Sequence, residues 1–129
     1  MAKQLVDCIQ QIVKFGVMRA DGAMFDKDSF KSQHNKTVPL VYDYDYTPIL
    51  GHALITVEET GVYARVYFDD TEAAHKAESL LFESHDYELG FDANCVKRDN
   101  PDWPCLVTDA NITYVNIYPI KEAWKYQED

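Results

Sequence analysis

A chain of 129 residues, 47% hydrophobic and 13% aromatic, holds enough apolar material for one packed core and too little length for two ordinary domains. That composition counts against wholesale disorder. With 22 acidic residues against 12 basic ones the formal net charge is −10, and no cluster of Lys and Arg is available to displace phosphate counterions, so direct DNA or RNA binding is not expected.

At the start of the chain Leu5, Ile9 and Ile12 fall at helical spacing, whereas Val13 to Met18 carries strand formers. The reading favoured by these residues is a short lead-in followed by a strand over 12–19. Ala20-Asp21-Gly22-Ala23 supplies turn chemistry, and Asp26 or Asp28 can cap a short helix that runs through Phe30 and Lys31 and ends near Asn35. Val38 to Tyr44 is an aromatic and β-branched run with Pro39 at its beginning, where a missing N–H is tolerated.

The strongest local signal is the pair His52 to Val57 and Val62 to Phe68, separated by Glu58-Glu59-Thr60-Gly61. In the second run Val62, Ala64, Val66 and Phe68 alternate with Tyr63, Arg65 and Tyr67, the period of a half-buried strand, so a β-hairpin is predicted with Gly61 at positive φ in its turn. Asp69-Asp70-Thr71-Glu72 offers caps for a helix over 71–84 that turns Ala73, Ala77, Leu80 and Leu81 inward. Tyr87 to Val96 reads as a strand, 100–104 as a loop, and Ile112 to Ile120 as a last strand that becomes edge-like near Pro119; Lys121 to Asp129 is left as a helical turn or a frayed end. The fold class expected is α+β and mostly β: a small curved or closed, mainly antiparallel sheet with one or two packed helices, in a single domain spanning 1–129.

Three cysteines, Cys8, Cys95 and Cys105, show no CxxC spacing and suit reduced thiols buried as small hydrophobes. No apolar run approaches the roughly 18 residues of a membrane helix, and no charged start leads into an apolar stretch. A cytoplasmic setting without membrane contact is the expectation.

Five blocks then stand in a telling order: 21–25 (Asp-Gly-Ala-Met-Phe), 38–45 (Val-Pro-Leu-Val-Tyr-Asp-Tyr-Asp), 48–51 (Pro-Ile-Leu-Gly), 61–64 (Gly-Val-Tyr-Ala) and 87–91 (Tyr-Glu-Leu-Gly-Phe). Through them the chain resembles the prohead protease family of tailed phages. The resemblance implies a barrel of the herpesvirus-assemblin type, and a lineage that cuts scaffold and capsid proteins during head maturation. It also implies where the chemistry should sit: a His near the end of the second block, where Tyr44 stands, a Ser in the last block, where Glu88 stands, and an orienting acid or His in the final strand around Tyr114 to Asn116, where neither occurs. A serine nucleophile needs a hydroxyl beside a base able to take its proton; glutamate has no such hydroxyl and a phenol of pKa near 10 is a poor base at neutral pH. With Tyr44, Glu88 and Tyr114 at those places, no catalytic residue is expected.

Histidine, cysteine, aspartate and tyrosine elsewhere in the chain are the other residue types able to carry chemistry. His34, His52, His75 and His85 show no HxxxH, HxH or HExxH spacing, and no metal or cofactor is expected. His52 follows Gly51 at a strand start and is the one candidate for a substitute base near Glu88. Cys95, seven residues beyond Glu88, could serve as a displaced nucleophile, though a cysteine in a β-rich run is more often core. Asp43 and Asp45 flank Tyr44 and could share a cation, the plainer account being a solvated acidic strand end. Tyr42, Tyr44 and Tyr46 alternate, and Tyr63 and Tyr67 belong to the same sheet; such a stripe is either a contact surface, since tyrosine brings area at low entropy cost, or a covered sheet face.

Three functions follow. The first is a non-catalytic phage or prophage protein that docks on capsid or scaffold protein during assembly or decorates the head, in many copies or as a homo-oligomer, found in the host cytoplasm or in the virion. The second is an acidic, DNA-mimicking inhibitor of a basic host defence protein. The third is a residual hydrolase using Glu88.

Overall fold

The computed structural model describes the backbone of residues 2–19, 22–42, 48–83 and 87–119, and their side chains from residue 9 onwards except at 95. Six strands, β1 (Ala2–Lys14), β3 (Thr37–Tyr42), β4 (Gly51–Val57), β5 (Gly61–Asp69), β6 (Tyr87–Lys97) and β8 (Asp109–Pro119), form one sheet in the order β1, β5, β4, β3, β8, β6. Two short strands, β2 (Met24–Phe25) and β7 (Leu106–Val107), pair in parallel. A 3-10 helix (Lys27–Gln33) and α1 (Glu72–Glu83) are the helical elements among the described residues. All neighbours in the large sheet are antiparallel except β3 and β8. The sheet curls into a half-barrel, the α+β and mostly β class expected from the pattern of residues. Its two edge strands approach where the Leu89 main-chain N–H on β6 donates to Gln10 Oε1 on β1 at 3.2 Å.

The alternation around Gly61 becomes two faces. Val62, Ala64, Val66 and Phe68 are buried while Tyr63, Arg65 and Tyr67 are half-buried on the other side. Opposite residues share a face, so the registers Val38↔Ala53↔Val66 and Ile55↔Ala64 carry the same core side across β3, β4 and β5. Phe25, Phe30 and Phe91 close the core from the 3-10 helix side with ring centroids 5.0 to 6.0 Å apart, and the Arg19 guanidinium lies 5.5 and 5.3 Å from the Phe25 and Phe91 rings. Full burial of a ring such as Phe30 is worth roughly 1.5 to 3 kcal/mol against leaving it in water.

The helical segments have readable starts. Asp26 is the N-cap of the 3-10 helix: its carboxylate accepts from the Ser29 N–H at 3.1 Å while Ser29 Oγ accepts from the Asp26 N–H at 2.9 Å, a capping box, and Asn35 at φ 66 ends the turn that follows. Thr71 caps α1 by accepting from the Ala74 N–H at 3.1 Å. The buried face of α1 is Ala74, Ala77, Glu78 and Leu81, rotated by about one residue from the expected set. Ala73 is exposed, and with Leu80 it lines a cavity of about 220 Å³ against Tyr42, Pro48 and Leu50. Helical periodicity allows both sets; packing on β5 and β6 selects the first.

Three other expectations are corrected. The first strand is Ala2–Lys14, not 12–19, because pairing with β5 overrides the helical spacing of Leu5, Ile9 and Ile12. It stops where Gly16 takes φ 75 and donates its N–H to the Phe25 carbonyl at 2.9 Å, turning the chain toward β2. Gly61 is not among the positive-φ glycines, and its need is steric: a Cβ there would stand 2.0 Å from the Val13 carbonyl oxygen on β1. Pro39 lies in a strand with neighbours on both sides. The carbonyls of Lys36 and Leu40 accept from the Ile55 and Leu50 N–H groups of the β4 side, so Pro39 faces β8, whose ladder begins one residue later at Leu40. The missing donor therefore costs no ladder bond. Among the described residues no helix is long and apolar enough to cross a membrane. The endings of the expected strand at Tyr44 and of the expected helix at Ser84, and the tail 121–129, lie outside the described residues.

Candidate functional site

Strand alternation decides which predicted residues can meet. On β3, Tyr42 has the parity of Leu40 and pairs with Ile117, so it belongs to the core side, where its ring lies 6.2 Å from Tyr87 and the two hydroxyls are 3.5 Å apart. Tyr63 and Tyr67 occupy the opposite, outer side of β5. The tyrosines therefore do not form one stripe: Tyr42 supports the core and the α1 cavity, and Tyr63 and Tyr67 face away. Tyr44, Tyr46, Asp43, Asp45 and His85, and the side chains of Cys8 and Cys95, lie outside what the structure describes. Cys105 is a free, half-buried thiol.

Glu88 and Tyr114 share the outer side of the β6 and β8 pair without meeting. Glu88 lies opposite Tyr118 and accepts a hydrogen bond from its hydroxyl, while Tyr114 lies opposite Asp92, four residues along the strand and so roughly 13 Å away. Gly90, between them, makes room for Tyr118: a Cβ there would sit 2.6 Å from the ring's Cε1. Asn116 on β8 and Val41 on β3, paired with each other, are wholly buried beside it. This region is packed, and its one described carboxylate at the expected nucleophile position is engaged by a phenol.

His52 is not a base for Glu88. It stands on β4, three strands and about four residues from Glu88, roughly 19 Å on a flat sheet. Its ring instead stacks on Tyr67, centroids 4.9 Å apart at 15°. His34 Nδ1 accepts from the Val57 N–H at 2.9 Å, which fixes the end of the 3-10 helix to β4, and His75 Nε2 lies 2.6 Å from Asp70 Oδ1 at the start of α1. Among the described residues no serine, threonine or cysteine side chain bonds to any of these three imidazoles. Among the described residues no group of three or more His, Cys, Asp and Glu could hold a metal ion.

The accessible chemistry lies on the outer face of β1, β5 and β4. Three cross-strand rows build it: His52 with Tyr67, Leu54 with Arg65 and Ile9, and Thr56 with Tyr63 and Gln11. Ile9 is 47% exposed, and with Leu54, Tyr63 and Arg65 it lines a shallow cleft of about 500 Å³ that extends to Glu58 and Thr60 in the hairpin turn. Tyr63 and Thr60 share a hydrogen bond of 2.9 Å between their hydroxyls. Aromatic rings, aliphatic side chains and an arginine on a pleated, half-exposed surface have the composition of a contact surface. Arg65, Leu54 and Ile9 carry no sequence signal beyond strand alternation, which places Arg65 between Tyr63 and Tyr67. In comparisons with protein-family models, curated proteins and solved structures, nothing matches this chain.

Proposed function

We propose that the chain acts by protein contact through the outer face of β1, β4 and β5, and that its setting is the head of a tailed phage or prophage, docking on capsid or scaffold protein during assembly or decorating the shell. The observation that carries the contact reading is the half-exposed row of Tyr63, Arg65 and Tyr67, with His52 stacked on Tyr67, beside a shallow open cleft lined by Ile9, Leu54, Tyr63 and Arg65. The phage setting is supported by the order of sequence blocks from Asp21 to Phe91. A pairing of Glu88 with Tyr118 in place of a nucleophile and its base favours a role without peptide cleavage. Repeated copies on a shell would let weak contacts suffice through avidity.

Quantitative mass spectrometry of purified particles tests the reading. The chain is expected at many copies per particle, and a Tyr63→Ala/Tyr67→Ala double variant is expected to be depleted from particles while folding normally. Absence of the wild-type chain from particles, coupled with salt-sensitive binding to a basic host protein, would sink it.

A further inference from the structure

The same outer face carries a charge pattern that is complementary to itself. Arg65 is half-buried between Tyr63 and Tyr67, opposite Leu54, and among the described residues it has no ion-pair or hydrogen-bond partner, although acidic residues outnumber basic ones 22 to 12. At the other end of the cleft Glu58 is exposed, and among the described residues its carboxylate makes no hydrogen bond or close ion pair and feels Lys27 only at longer range, whereas its neighbour Glu59 is taken by Lys27 directly. Glu58 is four residues beyond Leu54, the partner of Arg65, so the two charges stand roughly 13 Å apart along the strand direction. Thr56 and Tyr63, a directly paired couple, lie between them.

We propose that this face pairs two copies of the chain about a twofold axis that runs across the strands at Thr56 and Tyr63, so that Arg65 of each copy meets Glu58 of the other. Such an axis reverses the strand direction and exchanges the two ends of the cleft, which is the requirement of an isologous contact. Two sheets packed face to face stand about 10 Å apart, a spacing that tyrosine, leucine and isoleucine side chains fill. The guanidinium then gains a carboxylate in a partly desolvated setting, and the two charges compensate each other. An acidic segment of another protein fits less well, because Glu58 in the same cleft would repel it.

The face is small. Three strands span about 14 Å and five residues about 17 Å, less than the ~800 Å² per partner of a standard interface, so the dimer is expected to be weak, with a dissociation constant in the micromolar range or above. The net charge of −10 on each copy adds repulsion that salt near 0.15 M screens beyond about 8 Å.

Sedimentation equilibrium of the whole chain from about 10 µM to about 1 mM at that salt tests the pairing. The wild type is expected to shift from monomer to dimer with concentration. Arg65→Glu and Glu58→Arg should each weaken association roughly 10-fold or more, and the double variant R65E/E58R should restore it, since the charges then meet in exchanged positions. Both sites are on the surface, and circular dichroism confirms that each variant folds. A wild type that stays monomeric, a dimer indifferent to either reversal, or a double variant that fails to recover overturns the proposal. Absence from phage particles leaves this pairing standing, and a monomeric chain leaves docking on a shell standing, so the two readings fail separately.

Discussion

Two stretches of the same outer sheet surface contrast. Over β6, β8 and β3 the surface is filled in: Glu88 is tied to Tyr118, the Tyr118 ring lies on Gly90, and Asn116 and Val41 are wholly buried. Over β1, β5 and β4 it is open, with Ile9, Arg65, Tyr63 and Tyr67 reaching solvent to different degrees. The difference teaches that Glu88, at a position where the protease resemblance seeks chemistry, is spent on a hydrogen bond within the sheet surface, while the open, half-exposed residues sit several strands away and carry no sequence signal beyond strand alternation.

The largest way to break the contrast is to remove the open region altogether. Its β1 edge depends on how closely Val13 passes Gly61, and a methyl at that position would meet backbone, which has no rotamer to escape into. Gly61→Ala is therefore expected to cost about 3 kcal/mol or more in urea-induced unfolding, at the upper end of single substitutions, and to abolish self-association by displacing β1. A variant as stable as wild type would show that β1 is not held by this approach.

A smaller effect sharpens the other side of the contrast. Gly90→Ala pushes on the Tyr118 ring rather than on backbone, so the ring can swing away at the expense of its hydrogen bond to Glu88. The expected cost is about 1 to 2 kcal/mol. In a Tyr118→Ala background the same substitution should be nearly neutral, a coupling that a double-mutant cycle of denaturation midpoints measures directly. Equal costs in both backgrounds would mean that the glycine is required by something other than the ring.

How much of this was legible depends on what each residue answers to. The hairpin could be read because residues 52–57 and 62–68 alternate with period two over a short loop, and local pattern and tertiary burial agree there. The caps at Asp26 and Thr71 were likewise local, needing only a side chain within three residues of a free N–H. What could not be read was set by partners distant in sequence. The length of β1 comes from pairing with β5, some fifty residues later, and the face of α1 comes from a one-residue rotation that periodicity permits in either sense. The parallel pair β2 and β7 joins two-residue segments with no periodicity at all, held where the Met24 N–H donates to the Cys105 carbonyl at 2.9 Å. At the site, Tyr42 was grouped with Tyr63 and Tyr67 by residue type, whereas sheet register assigns it to the opposite side. Residue type says what a side chain can do; register says which others it can do it with.

The smallest effect concerns the two turn glutamates that separate the open face from the rest of the chain. Lys27 of the 3-10 helix donates to Glu59, and this hydrogen bond, followed by the attraction of the same carboxylate, raises the Lys27 pKa above the ordinary lysine value. A raised folded-state pKa contributes stability that is fully present below the unfolded lysine value near 10.4 and is lost only as pH climbs through the folded one. Because the pair is solvent-exposed its contribution is slight, and Lys27→Met is expected to shift the thermal midpoint little and by the same amount at every pH from about 6 to about 9, the gap to wild type closing only at more alkaline pH. The variant has a second use. It frees Glu59 beside Glu58, so if Glu58 is the group that meets Arg65 of a second copy, Lys27→Met should leave the dimer nearly intact; a marked strengthening would point to Glu59 as the partner instead, and a loss of association would show that Lys27 itself takes part in the contact.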